Sequence, residues 1–83
     1  MSPTYIFSLI LQERQRQEHL LKQGKFPFTC ANPEIEDRAK LPVLGEEFGE
    51  VCKAINEKMA VEELKSELIQ VAAVCVAWLE SLP

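Results

Sequence analysis

The sequence has one histidine, little basic charge and no closely spaced cysteines, and the cysteine and histidine pattern already excludes whole classes of site. Its three cysteines, Cys30, Cys52 and Cys75, are widely spaced and form no CxxC pair, so neither a disulfide framework nor a zinc knuckle is supported. The single histidine, His19, excludes a multi-histidine metal site within one chain. We therefore expect a reduced, cytoplasmic protein.

Basic charge and long apolar runs are also scarce. A net charge of −4 and a pI near 4.9 argue against a nucleic-acid polymer as a partner, because phosphate backbones are bound by basic patches. The longest apolar-rich run, Leu68 to Leu79, is too short to span a bilayer. Residues Tyr5 to Leu11 lack a preceding basic region and a small-residue cleavage site. We interpret them as helix, not signal peptide, and expect no membrane partner.

The 83 residues allow a single small domain, 1–83, which buries a modest fraction of its surface unless a metal or a partner subunit contributes. Apolar spacing predicts an all-α fold, a small bundle of about three helices. The predicted helices span 5–22, about 42–58 and about 61–82.

Turn residues predict where these helices begin and end. Gly24 is a plausible C-cap for the first helix, and the loop 23–32 follows it. Asn32 and Pro33 resemble an N-cap followed by proline at the first helical position. Pro42 then predicts that the long second helix either starts near Leu41 or is kinked there.

The last predicted helix is apolar almost all round in its second half, from Leu68 to Leu79. Such a helix must be buried on every side, and a three-helix chain of this size has too little mass to cover it. We therefore expect the bundle to be completed by oligomerisation, as a homodimer or homotetramer.

The second predicted helix carries a narrow apolar stripe of Leu44, Phe48, Val51 and Ile55. Glu47 flanks this stripe at the core boundary, Glu50 lies just beyond it, and Glu46 faces nearly opposite, into solvent. Gly45 and Gly49 weaken the helix but would permit the close approach of another helix or a ligand.

Two pairs of oxygen-bearing side chains lie on consecutive helices, Glu47 with Glu50 and Glu67 with Gln70. Residues three apart share a helix face, where like charges repel, whereas hard cations such as Mg²⁺ prefer oxygen ligands. Glu67 also projects among apolar residues, so its carboxylate needs a cation or several hydrogen bonds. Facing each other, the two pairs could hold a divalent cation.

These residues carry a resemblance to the MazG-like, all-α nucleoside triphosphate pyrophosphohydrolases, whose motif is EExxE, a spacer and ExxD. The segment Glu46-Glu47-Phe48-Gly49-Glu50 and the segment Glu67-Leu68-Ile69-Gln70 follow this pattern, with sixteen residues between them. The likeness covers nearly the whole chain and is strongest from Leu41 to Leu82.

The resemblance implies Mg²⁺-dependent, or Mn²⁺-dependent, cleavage of a nucleoside triphosphate to the monophosphate and pyrophosphate. It implies that Glu47, Glu50 and Glu67 are catalytic metal ligands, and that Glu46 or Glu50 orients or deprotonates the attacking water. Gln70 replaces the acidic residue of ExxD; its carbonyl oxygen can still ligate Mg²⁺ but brings no charge. Four-helix relatives are common, so a neighbouring subunit is expected to supply the missing wall.

The first helix offers two polar residues for this site. Glu13 and Gln17 fall on its apolar stripe, while Arg14, Arg16 and Glu18 are expected to lie elsewhere. Either the two residues end at the edge of a short core, or they reach toward the carboxylate cluster.

Three further residues are candidates for substrate binding beside Gln17. Phe26 could stack on a base, and Lys25 or Lys53 could contact phosphate. The alternative is that the aromatic ring packs the loop onto the core and that both lysines are ordinary surface residues.

Two other functions stay open. One is a non-catalytic helical oligomer that binds nucleotide or metal, with Gln70 marking the lost chemistry. The other is a plain protein-interaction module that docks through the apolar last helix. Measurements would separate the three functions. An enzyme should release pyrophosphate, a binder should be stabilised by nucleotide or metal without turnover, and an interaction module should show neither.

Overall fold

The computed structural model describes residues 1–83 as three helices, α1 (Pro3–Lys22), α2 (Asp37–Asn56) and α3 (Val61–Ser81), with no strand. The predicted all-α bundle is thus confirmed. Helix α3 packs against both α1 and α2, whereas the backbones of α1 and α2 do not approach each other. None of the three helices has the length and apolarity needed to cross a bilayer.

Helix α1 is defined at both ends by local hydrogen bonds. The side chain of Ser2 caps its first turn and Pro3 occupies the start, so the helix begins two residues earlier than the apolar spacing indicates. At the other end Gly24 adopts φ +73°, and the N–H of Lys25 donates to the carbonyl of Leu20. This is a Schellman ending, which confirms Gly24 as the residue that terminates α1.

The predicted start of α2 is wrong. The side-chain oxygen of Asn32 accepts a hydrogen bond from the backbone N–H of Glu34 at 2.9 Å, so Asn32 and Pro33 form an isolated turn. Because the same side chain suits turns and N-caps, the sequence alone does not separate the two. The helix begins at Asp37 and continues through the exposed Pro42.

The core is small and made of small side chains. Only 10 of the 83 residues are buried. The buried apolar residues are Cys30 from the loop, Val51 and Ala54 from α2, and Ala73, Val74 and Ala77 from α3. Each of these side chains removes little apolar area from water, so apolar burial alone contributes modestly to stability.

A buried arginine ties α1 to α3. Arg14, which is 6 % exposed, donates to Glu80 of α3 at 2.7 Å and to Gln17 and Glu18 at 2.8 Å. The hydroxyl of Thr29 also donates to Glu18, at 2.9 Å. Burial opposes ionisation of Glu18, but these hydrogen bonds and the charge of Arg14 outweigh it and hold the pKa of Glu18 below its usual range. The expectation that Arg14 lies away from the packed face is therefore wrong.

A second set of polar contacts ties the start of α2 to the end of α3. Lys40, which is 1 % exposed, donates from Nζ to the hydroxyl of Ser81 at 2.7 Å. The indole N–H of Trp78 donates to Asp37 at 2.8 Å. A cation at the C-terminal turn of α3 also meets the negative end of the helix dipole. The last turn of α3 is thus held from both sides.

The apolar stripe predicted on α2 is divided in the structure. Val51 is buried, but Phe48 and Ile55 are 62 % and 60 % exposed, because the buried face runs through Ala54 instead. No heavy atom lies within 4 Å of a Cβ built at Gly45 or Gly49, so these glycines accommodate no neighbour within the chain.

Four exposed apolar residues of α2 recur at steps of seven, four and three. They are Leu41, Phe48, Cys52 and Ile55. This repeat is that of a coiled-coil seam, and we call these four residues the α2 seam. On α3, four apolar residues are exposed as well, namely Val61, Leu68, Val76 and Leu79.

Replacing the buried arginine tests how far the fold depends on the tether between α1 and α3. We expect Arg14→Met to lower the free energy of unfolding by about 2 kcal/mol, because Glu80 of α3, as well as Glu18 and Gln17, loses a charge-assisted hydrogen bond. Urea denaturation measures this change. The control Arg38→Met removes an exposed arginine and should change it by less than about 0.5 kcal/mol. Equal effects of the two substitutions would contradict the prediction.

Candidate metal and nucleotide site

Glu47 of α2 and Glu67 of α3 bring their carboxylates together across the helical hairpin. Both side chains are half-buried, and in each the Oε2 atom is buried without a hydrogen-bond partner. Buried carboxylate oxygens are normally paired, since an unpaired one keeps the full cost of lost hydration. Two such atoms on facing helices form an arrangement that a bound cation would stabilise.

The pKa of Glu47 reflects this environment. Burial raises it above the usual range for a carboxyl, and four neighbouring carboxylates raise it further. In decreasing order of effect these are Glu67, Glu46, Glu13 and Glu50. A cation of either kind, a proton or a metal ion, would therefore be favoured beside Glu47.

The other two residues predicted to hold the metal are Glu50 and Gln70. Glu50 is exposed, as is Glu46, which was predicted to act on the attacking water. Gln70 is half-buried, and its amide N–H donates to Ser66 at 3.4 Å, which leaves its carbonyl oxygen free. No three His, Cys, Asp or Glu side chains converge in the way that a metal ion requires. The structure thus assembles half of the predicted ligand set.

Helix α1 adds residues that the sequence did not assign to the site. Glu13 lies close enough to Glu47 for its charge to raise the pKa of Glu47. Both oxygens of Glu13 accept hydrogen bonds from Arg16, each at 2.8 Å. Of the two outcomes left open for Glu13, the structure places it at the carboxylate cluster. The only sequence signal for Arg16 was its spacing of three from Glu13.

A cavity of about 300 Å³ opens beside these carboxylates, between α1, the loop and α2. Phe26 and Phe28 form an apolar wall, and Gln17 and Thr29 add polar groups. Glu47 also lines the cavity, together with Val74 and Ala77 of α3. The volume falls at the lower end of the range for small-molecule sites.

Two of the residues predicted to bind substrate do not line this cavity. Lys25 and Lys53 are both exposed, and neither contributes to the wall. Gln17 is 8 % exposed and accepts a hydrogen bond from Arg14, so its side-chain carbonyl is engaged and its amide N–H groups remain as donors. Phe26 and Gln17 are therefore the predicted substrate residues that the fold brings near the acidic pair.

A larger and more open groove of about 850 Å³ lies between α1 and α3 on a different face. Its apolar residues are Phe7, Ile10, Leu11 and Val76. None of the carboxylates around Glu47 contributes to it, so its chemistry is not that of the acidic pair.

The geometry defines an all-α bundle in which an acidic pair adjoins an apolar cavity. Comparison of the chain with protein-family models, with curated proteins and with solved structures finds no match. The resemblance of the EExxE and ExxD segments to MazG-like proteins therefore stays a prediction.

The raised pKa of Glu47 predicts an unusual dependence of stability on pH. In metal-free buffer we expect the melting temperature to rise as pH falls from neutral towards the usual range of a carboxyl group, because protonation of Glu47 favours the folded state. This stabilisation is present below the pKa of Glu47 in the folded protein and is lost as pH rises through it. Scanning calorimetry measures the change in melting temperature. The charged groups facing Glu47 are Glu13 and Arg16 of α1, Glu46 and Glu50 of α2, and Glu67 of α3.

Glu47→Gln resembles the protonated form of Glu47, so the variant should melt at a higher temperature than the wild type at neutral pH. Its melting temperature should no longer rise as pH falls. Glu63→Gln, which alters an exposed carboxylate in the first turn of α3, should retain this rise. Below about pH 4.5 stability should fall in all three proteins, since the lowered pKa of Glu18 makes its contribution depend on ionisation. Identical profiles for Glu47→Gln and the wild type would refute the assignment.

Proposed function

We propose that this chain is a Mg²⁺-dependent nucleoside triphosphate pyrophosphohydrolase of the MazG-like kind. The observation that carries the proposal is the pair of buried, unpartnered oxygens of Glu47 and Glu67 beside a cavity with an aromatic wall. A carboxylate pair and a triphosphate are both anionic and repel each other, so a triphosphate can bind beside the pair only with a cation between them. The phosphates of such a substrate would lie at the acidic pair, and its base would lie in the cavity.

The residues present fit a hard divalent cation, because the two orphaned oxygens are the ligand type that Mg²⁺ and Mn²⁺ prefer. Glu47 and Glu67 would hold the ion, joined by Glu50 and by the free carbonyl oxygen of Gln70. A cation bound there neutralises phosphate oxygens and makes water more acidic.

The cavity residues are suited to a nucleobase. Phe26 and Phe28 offer aromatic faces, on which a base of any identity can stack. Gln17 keeps amide donors free because Arg14 occupies its carbonyl oxygen, and donors recognise ring nitrogens and carbonyl oxygens of a base. The exposed lysines Lys25 and Lys53 would reach the phosphates only from outside the cavity.

The orientation that follows places the base in the cavity and the phosphates at the acidic pair. Water would attack the α-phosphorus, and pyrophosphate would leave. Glu46 and Glu50 are both exposed to solvent next to Glu47, so either carboxylate can orient the water or accept its proton.

Assembly is part of this proposal. The chain exposes 5877 Å², whereas a folded monomer of this mass is expected to expose roughly 5,000 Å². The α2 seam supplies apolar area with coiled-coil spacing, and Gly45 lies within it with open space around its Cα. A second copy of the chain, packed along α2 in a homodimer or within a homotetramer, would cover the seam. The three free thiols agree with a cytoplasmic location.

The non-catalytic alternative uses the same site. Gln70 brings no charge, so a chain that binds Mg²⁺ and nucleotide without turnover would show the same geometry. An interaction module, in contrast, would need only the exposed apolar residues and would be indifferent to Mg²⁺.

Activity tests the proposal directly. In a screen of nucleoside triphosphates with Mg²⁺, we expect pyrophosphate release that falls by at least about 100-fold in Glu47→Gln and Glu67→Gln, since each loses a charged ligand. Phe26→Ala should raise KM more than it lowers kcat, because stacking acts on substrate binding.

The matched control is Glu63→Gln, which makes the same chemical change at an exposed position of α3 and should keep activity within about twofold. Release of pyrophosphate by none of the triphosphates would refute the enzyme. If Mg²⁺ and nucleotide then still raise the melting temperature, the binding alternative is correct.

Assembly can be tested apart from activity. We expect multi-angle light scattering to give the mass of a dimer or tetramer for the wild type and a smaller assembly for Phe48→Asp, because a carboxylate in the α2 seam is desolvated on association. Gln12→Asp, which adds the same group to the exposed side of α1, should leave the mass unchanged. A wild-type monomer at micromolar concentration would refute the prediction.

A further inference from the structure

Glu13 and Arg16 lie one helical turn apart on α1, at the edge of the carboxylate cluster and outside both acidic motifs. The side chain of Glu13 is 13 % exposed, and it accepts hydrogen bonds from Nε and Nη2 of Arg16, each at 2.8 Å. Both residues line the same cavity as Glu47. Helix α1 therefore delivers one more carboxylate to the site, with a cation already paired to it.

The contact between Glu13 and Arg16 can be exchanged for a stronger cation. The Arg16 side chain is 53 % exposed, so water can solvate its guanidinium when it leaves Glu13. The hydrogen bonds that Arg16 donates to Glu13 raise the pKa of Arg16, and the charge of Glu47 raises it further, so the guanidinium also lies within the field of the acidic pair. A divalent cation attracts a carboxylate more strongly than one guanidinium does at the same distance.

We propose that Glu13 is a further carboxylate ligand of the cation site, and that Arg16 holds it until the cation binds. The inference rests on the proposed cation site at Glu47 and Glu67. Gln70 lacks the charge of the fourth motif position, and Glu13 would supply a negative charge from α1 instead. Arg16, once released, remains at the cavity, where its guanidinium meets an anionic phosphate.

Metal binding without substrate tests this assignment. Mn²⁺ is titrated into the full chain, and the signal of the free ion is followed by electron paramagnetic resonance. We expect Glu13→Gln to weaken Mn²⁺ binding by at least about tenfold, since affinity follows the number of charged ligands. Glu13→Asp keeps the charge but shortens the side chain, and it should also weaken binding. Circular dichroism confirms that each variant is folded.

Two controls separate ligation from the effect of charge at a distance. Glu46→Gln removes a carboxylate that affects Glu47 more strongly than Glu13 does, yet lies in solvent, and should weaken binding by less than about threefold. In an Arg16→Gln background, Glu13→Gln should still cost about tenfold. If Glu13 serves only to hold Arg16, the double variant will bind Mn²⁺ as Arg16→Gln does, and the inference is overturned.

The same titration distinguishes failure of this inference from failure of the proposed function. Wild-type binding that Glu47→Gln abolishes and Glu13→Gln leaves unchanged overturns the role of Glu13 alone. Absence of Mn²⁺ binding by the wild type overturns the cation site itself, and with it both proposals.

Discussion

Two carboxylates forced together at the α2 and α3 contact are the constraint on which the rest of this structure depends. Glu47 and Glu67 each bury an oxygen without a partner, and burial with the neighbouring negative charges raises the pKa of Glu47. An apolar side chain at either position would pack at lower cost. The helical hairpin therefore retains an electrostatic strain that a positively charged species would relieve, and this strain links the fold to its proposed chemistry.

The fold compensates for a small core with polar ties. Two buried charged residues connect α3 to its neighbours. Arg14 of α1 bonds to Glu80 of α3, and Lys40 of α2 bonds to Ser81 of α3. Such contacts are directional, so they fix the rotation of each helix about its axis. Apolar contacts between alanines and valines fix this rotation only weakly. The rotation of α2 in turn decides which residues meet α3, and it places Glu47 inward and Phe48 outward.

The helices and the acidic pair were predictable from sequence because they depend on local signals. Gly24 ends α1 through a backbone geometry that favours glycine, and the spacing of Glu47 and Glu67 across a hairpin brings them together. The start of α2 was not predictable, since Asn32 suits a turn as well as a cap. Burial of Arg14 depends on Glu80, a partner near the far end of the chain, which no local pattern indicates.

The two ends of α3 are held very differently, and this asymmetry has a dynamic consequence. The C-terminal turn is clamped by side chains from both neighbouring helices, whereas the N-terminal turn joins the exposed hairpin and exposes Val61. Local opening follows the weakest-held backbone, so amide hydrogens near Val61 will exchange with solvent before those near Ala77. Glu67 lies in the looser half of α3. Opening that starts at the first turn of α3 would therefore reach Glu67 before it reaches the clamped end.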